Sequence, residues 1–381
     1  MSSEPASRSG AETGVARYLM IGGFLGAGKT TAVDWFAREL AAAGTRVGLI
    51  TNDQSTGLVD TRLLASHGHA VEEIAGGCFC CRFDSLQKAA GALEERSAPE
   101  VFLAEPVGSC TDLVATVSYP LRRIYGERFV IAPLSVVVDP RRAQRVLGLV
   151  DGRSFSDKVV YVYEKQLEEA DLIVINKREL LDTAELTALE AALRERFPHA
   201  DVIAVSAKTG AGMADWLARV STGESATRPT MPVDYDVYAE GEARLGWLNA
   251  TLTATAAEPF DANELVVRLA AELRARAIEA DAEIAHLKAT LDGGSTIGAL
   301  SVVSVVGNDD EPDLRESLVD VVERGELVLN LRAETDPDAL LAWTRDVIAG
   351  EAAREGGVTL TLDHEEHFRP AYPTPTHRVV V

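Results

Sequence analysis

The chain has 381 residues, 46% hydrophobic and 25% charged, which suits two globular domains that need no disulfide or structural metal to hold them. Its 37 Lys and Arg stand against 59 Asp and Glu, a formal net charge of −22 at pH 7 that repels nucleic-acid phosphates and anionic membranes and excludes both as bulk partners. No apolar run reaches the roughly 18 residues of a membrane span. Residues 1–15 lack the apolar core of a secretion signal and are expected to form a disordered leader, so a cytoplasmic location is expected for the four cysteines.

Between residues 16 and 220, short β-branched runs alternate with helical patterns. Strands are predicted at Tyr18–Ile21, Val47–Thr51, Val101–Ala104, Ser135–Val138, Leu172–Ile175 and Val202–Val205, with a helix at Asp34–Ala43 after the first. Continuous apolar strands separated by helices predict an α/β fold, a doubly wound and mainly parallel sheet. Residues 221–240, with Thr, Gly, Ser and Pro, read as a linker. Residues 241–365 change rhythm. Leu245–Ala254 reads as a strand. Asn263–Leu291 reads as one long helix carrying Leu265, Leu269, Leu273, Ala277, Ile284 and Leu287 on a single face. Ile297–Val306 and Leu327–Leu331 read as strands, Pro337–Ala349 as a helix, and Val358–Leu362 as a last strand. That order suggests a smaller α+β, ferredoxin-like domain. Residues 366–381, which include His377, read as a tail.

The first chemical motif spans Gly23, Gly26, Ala27, Gly28, Lys29, Thr30 and Thr31. It fits G-x-x-x-x-G-K-T between a strand and a helix, the phosphate-cradling loop of a P-loop NTPase. Its backbone N–H groups and the helix N-terminus face phosphate oxygens. Lys29 is expected to reach the β- and γ-phosphates, Thr30 to bind Mg²⁺ and Thr31 to meet the α-phosphate. Asp53 ends the second strand segment and is expected on the same sheet edge.

Cys78, Cys80 and Cys81 crowd behind Gly76 and Gly77. Thiolates so clustered suit Zn²⁺, Cu⁺ and other thiophilic ions, and Glu73, His67, His69 or Cys110 is a candidate fourth ligand. Inert buried thiols and a redox pair are the alternatives. Glu105 after the third strand segment is expected to face Mg²⁺, with Gly108 letting a backbone amide approach the γ-phosphate. Asn176, Lys177 and Glu179 approximate the guanine-reading N-K-x-D element, and Ser206, Ala207 and Lys208 approximate S-A-K. A carboxylate there accepts from guanine N1–H and the 2-amino group together, which selects GTP over ATP. Glu179 stands where aspartate is usual. His364 and His367, three apart, are weaker metal-collecting candidates.

In this order the four elements resemble the CobW family of P-loop GTPases, with its G-x-x-G-A-G-K-T-T, G-C-x-C-C, E-x-x-G and N-K-x-D motifs. The matches are Gly23–Thr31, Gly77–Cys81, Glu105–Gly108 and Asn176–Glu179, and Glu73 falls where that family often has a glutamate. Asn52-Asp53-Gln54-Ser55 departs from the usual N-E-F-G, and the Thr51-Asn52-Asp53 spelling and the Ser206–Gly212 stretch are more similar to the nickel-insertion GTPases of urease and hydrogenase maturation. The resemblance implies GTP binding and hydrolysis to GDP with Mg²⁺ held by Thr30, Asp53 and Glu105. It implies catalytic roles for Lys29, Asp53 and Glu105, and delivery of Zn²⁺, Co²⁺ or Ni²⁺ from Cys78, Cys80, Cys81 and Glu73 to a client metalloprotein. A GTPase chaperone for a corrinoid or other cofactor-dependent enzyme, with structural cysteines, is the competing expectation. The sequence leaves monomer and homodimer both open.

Overall fold

The computed structural model describes residues 15–52, 59–126, 128–294, 300–354 and 356–381. The first half runs β1 (Ala16–Gly22), α1 (Lys29–Ala42), β2 (Val47–Asn52), α2 (Val59–Ser66), β3 (Val71–Ile74), α3 (Phe83–Ser97) and β4 (Val101–Glu105). It continues with α4 (Tyr119–Tyr125), β5 (Phe129–Ile131), β6 (Ser135–Val138), α5 (Pro140–Val146), α6 (Asp157–Glu169), β7 (Leu172–Ile175), α7 (Thr183–Arg196), β8 (Asp201–Ala204) and α8 (Met213–Thr222). The strands form a parallel sheet in the order β3-β2-β4-β1-β6-β7-β8, with β5 also beside β1.

Both faces of this sheet are covered. Along β1, Tyr18 and Met20 enter one apolar core while Leu19 and Ile21 enter another, the two-residue alternation of a strand buried on both sides. The parallel ladder brings the carboxyl ends of β1, β2, β4 and β7 to one edge, where ligands of such sheets collect.

After residues 223–234, which carry neither helix nor strand, α9 (Tyr235–Arg244) packs on α6. The second half follows: β9 (Gly246–Phe260), α10 (Ala262–Glu279), β10 (Glu283–Asp292), β11 (Ser301–Val305), β12 (Asp313–Glu316), β13 (Val322–Glu334), α11 (Pro337–Ala352) and β14 (Thr359–Phe368). These strands form an antiparallel sheet ordered β12-β11-β10-β13-β9-β14. Its β9-α10-β10-β13-α11-β14 frame is the expected ferredoxin-like arrangement, with β11 and β12 added at one edge.

Two expectations are corrected: the linker read at 221–240 is shorter, because α8 runs to Thr222 and Asp234 caps α9 from Tyr235, and the long helix is interrupted. Asn263–Leu291 is a helix followed by a strand. Asp281 takes a positive φ of 55° and turns the chain after α10. Ile284 and Leu287 fit a helical spacing, but Leu287, Ala289 and Leu291 recur every second residue and point into one core. That core lies between the sheet and helices α10 and α11. The opposite face presents Trp247, His286, Lys288, Asn330 and Arg332 to the P-loop of the first domain.

Candidate functional site

The loop from β1 to α1 owes its shape to glycine. Gly23 has φ 128°, and a Cβ there would stand 2.2 Å from the Val137 carbonyl oxygen. Gly28 has φ 92°, and its Cβ would stand 2.3 Å from Asn176 Nδ2. No side chain fits either position. Lys29 is buried and donates from Nζ to the Phe24 carbonyl at 3.3 Å, closing the loop on itself where a phosphate would sit. Burial, more than any neighbour, lowers its pKa. Gly26, Thr30 and Thr31 line the cavity beside it, and Ala27 is buried with its carbonyl turned to Asn176.

Thr30, the second residue of α1, donates from Oγ1 to Glu105 Oε1 at 3.0 Å. Among the described residues the other carboxylate oxygen of Glu105 is buried without a partner. Burial first, and the charge of Asp60 second, push the Glu105 carboxyl up to about 7. An unsatisfied buried carboxylate oxygen next to a hydroxyl is a donor set that fits Mg²⁺. Asp60 on α2 is paired with Lys288 of β10. Gly108 lines the same cavity, and Asp53 lies outside the described residues.

Asn176 joins two loops. Its Nδ2 donates to the Ala27 carbonyl at 2.9 Å, and its Oδ1 accepts from Ala207 N at 2.9 Å. Lys177 sits at φ 53° and donates to the Gly26 carbonyl and to Asp139 Oδ2, each at 2.8 Å. Burial opposes the charge on Asp139, but Lys177 and then Arg142 outweigh it and hold the carboxyl at about 2. Ser206 is buried and accepts from Thr209 N, while Lys208 lines the cavity and pairs with Asp313 at 3.5 Å. Glu179 is exposed on the short turn Arg178–Leu180.

Cys78, Cys80 and Cys81 bring three sulfurs together; Cys78 and Cys80 Sγ are 2.7 Å apart, Cys80 and Cys81 Sγ 3.6 Å. Hydrogen bonds from Cys110, Cys80 and Cys81 hold the Cys78 thiol well below its ordinary pKa. Among the described residues this metal-capable group does not include Glu73 on β3. The thiol loop is tied to the phosphate side by Asn52, the last residue of β2. Asn52 donates from Nδ2 to the Ile74 and Gly77 carbonyls at 2.9 and 2.7 Å and accepts from Phe79 N at 2.9 Å, thereby holding both sides of Cys78.

Residues 17–204 match the model of the CobW/HypB/UreG nucleotide-binding domain. They are a CobW/HypB/UreG nucleotide-binding domain. Relatives include a zinc chaperone CobW of Sinorhizobium sp, 29% identical over 196 residues, covering 46% of this chain and 55% of that protein. A zinc chaperone YeiR of Escherichia coli strain K12 is 28% identical over 166 residues, covering 43% of this chain and 47% of its own. The chain thus spans about half the length of these curated relatives. A Zn(II)-bound YjiA GTPase structure from E. coli aligns over 90% of this chain and 99% of its own, at 15% identity and a TM-score of 0.38.

The second domain completes the cavity beside the P-loop. This cavity, of about 260 Å³, has P-loop residues on one side and His286, Lys288, Ser304, Asn330 and Arg332 on the other. Arg142 of α5 fastens the two: it is buried and donates to the carbonyls of Leu25 in the P-loop, of Ala285 in β10 and of Val306 just after β11. Sequence reasoning missed Asp60, Arg142 and Lys288. For Lys288 a signal existed, since it alternates with Leu287 and Ala289 once β10 is read as a strand.

The last residues are also part of the site. Thr374 N donates to Cys81 Sγ at 3.2 Å, Thr376 N to the Cys80 carbonyl at 2.8 Å, and the His377 ring meets Phe83 edge-on at 5.0 Å. Arg378 is anchored on Asp112 at 2.7 Å. Residues 366–368, assigned to the tail from sequence, lie in β14. His364 and His367 face Glu366 and Asp338 at 3.8 and 3.1 Å.

Proposed function

We propose that this protein is a GTP-hydrolysing metallochaperone that binds a thiophilic divalent ion, Zn²⁺ or Co²⁺ before Ni²⁺, at Cys78, Cys80 and Cys81 and passes it to a client metalloprotein. The observation that carries this reading is the Asn52 side chain. It hydrogen-bonds around Cys78 from a strand end that lies beside Glu105 in the β2–β4 ladder. The zinc-chaperone relatives of the nucleotide-binding domain support the same reading.

In this reading Lys29 neutralises charge on the transferring phosphoryl group, and the Glu105 carboxylate orients the attacking water. Thr30 and Glu105, with Asp53, would hold Mg²⁺, which when bound would supply the remaining neutralisation of phosphate charge. Asn176 braces the loop, and Glu179 reads guanine.

The test has two arms. Calorimetry is expected to give GDP at least a tenfold advantage over ADP, about 1.4 kcal/mol. Steady-state assays are expected to give slow GTP turnover that Lys29→Ala abolishes and Glu105→Gln slows while sparing GDP affinity. Equal affinity for the two diphosphates contradicts guanine reading, and normal turnover by Lys29→Ala contradicts the catalytic assignment.

A further inference from the structure

We propose that Asp34, His67 and His69 form a second transition-metal site, separate from the thiols, on the wall of the nucleotide cavity. Asp34 lies one turn beyond Thr30 on α1, and the two histidines follow the end of α2. Both rings converge on one carboxylate oxygen. His67 Nδ1 is 2.8 Å and His69 Nε2 is 3.0 Å from Asp34 Oδ1, while Arg38 occupies Oδ2. All three donor atoms lie within 4.8 Å of one another. Zinc bonds of about 2.0–2.2 Å in a tetrahedron set donors about 3.3 Å apart, so to admit an ion each ring nitrogen draws back from Asp34 Oδ1 by a few tenths of an ångström. It replaces the two imidazole protons that now face the carboxylate.

The surroundings are those of a metal ligand set. His67 Nε2 lies 3.1 Å from Glu316 Oε1 on β12, the outer carboxylate that fixes a histidine's other nitrogen toward a metal. The Asp34 side chain is 4% exposed, His69 11% and His67 22%, so the ligands are sheltered. Asp34 and His67 line the cavity, which leaves a fourth coordination position reachable from it. Two imidazoles and one carboxylate suit Zn²⁺, Co²⁺ or Ni²⁺ and disfavour Cu⁺, which seeks sulfur. Occupied, the site draws α1, the end of α2 and, through Glu316, the second domain onto one ion beside the nucleotide.

The test is a Co²⁺ titration of the full chain in excess Mg²⁺. The variant Cys78→Ser/Cys80→Ser/Cys81→Ser is expected to keep one bound Co²⁺, with visible d–d absorption and no thiolate charge-transfer band. Adding His67→Gln and His69→Gln is expected to weaken that binding at least ~100-fold, and Glu316→Gln alone about 10-fold. With the thiols intact, the two histidine substitutions are expected to remove only the non-thiolate spectral component. That arm guards against misfolding of the serine variant. No Co²⁺ retained without the thiols and no non-thiolate component in the wild-type titration, or binding unchanged by the histidine substitutions, overturns the proposal. Failure of thiol binding would instead erase the charge-transfer band and leave this site in place, so the two readings fail separately.

Discussion

Glu169 shows what burial does to one ionisable group. It ends α6, and its two oxygens accept from Thr111 Oγ1 at 3.2 Å and Val114 N at 3.0 Å. Burial still dominates and pushes its carboxyl up to about 8. The unfolded chain ionises this group near pH 4.5, so the folded state holds the proton more tightly between 4.5 and 8. Its stabilising contribution is complete below about pH 4.5, falls as pH rises through that window, and levels off above 8. Glu169→Gln keeps the shape and one acceptor without the titration. Chemical denaturation from pH 5 to 8 is therefore expected to give a flatter stability profile for the variant than for the wild type. Parallel profiles would contradict the assignment.

At the scale of elements, the end of β2 is the junction. Replacing Asn52 with Ala leaves the Ile74 and Gly77 carbonyls and the Phe79 amide without partners, at a cost of about 1–3 kcal/mol in global stability. The specific expectation is functional. GTP turnover persists in Asn52→Ala, while thiol-site metal affinity no longer responds to nucleotide, read by chelator competition. A nucleotide response equal to that of the wild type would remove Asn52 from the coupling path. Much of this region is legible in sequence. The P-loop spelling dictates its own glycine geometry, and Asn176 at a strand end points to the loop it braces. The reach of Asn52 to Phe79 is not legible, because hydrogen bonds between loops distant in sequence leave no periodic mark. The β10 strand was hidden because Ile284 and Leu287 satisfy a helical spacing as well as a strand's.

The whole molecule is two domains closed on one cavity. In the second domain α10, α11 and parts of β9, β11, β13 and β14 were legible, but β10 and the side the sheet presents were not, because which polar face meets which partner depends on docking. Residues 369–381 likewise read as a tail because their contacts with Cys80, Cys81 and Asp112 are with segments far away in the chain. Arg142 holds the closure, buried over the Phe24 and Phe155 rings at 5.3 and 5.2 Å and donating into both domains. Arg142→Met strands those buried carbonyls, while Asp139 keeps Lys177, and is expected to cost about 1–3 kcal/mol. It is also expected to speed GDP release in stopped-flow. Unchanged stability together with unchanged release would place the domain closure elsewhere.

Coupling between nucleotide and thiols is the central claim, and linkage makes it reciprocal: a nucleotide that tightens metal binding is itself tightened by metal to the same extent. The most direct measurement is competition of Zn²⁺ or Co²⁺ against a chromophoric chelator in the His67→Gln/His69→Gln background, with GDP and then with a non-hydrolysable GTP analogue. Metal is expected to bind more tightly in the analogue state by roughly 5–150-fold, or about 1–3 kcal/mol. Identical affinities in the two nucleotide states would contradict the account and leave a static thiol site beside a GTPase.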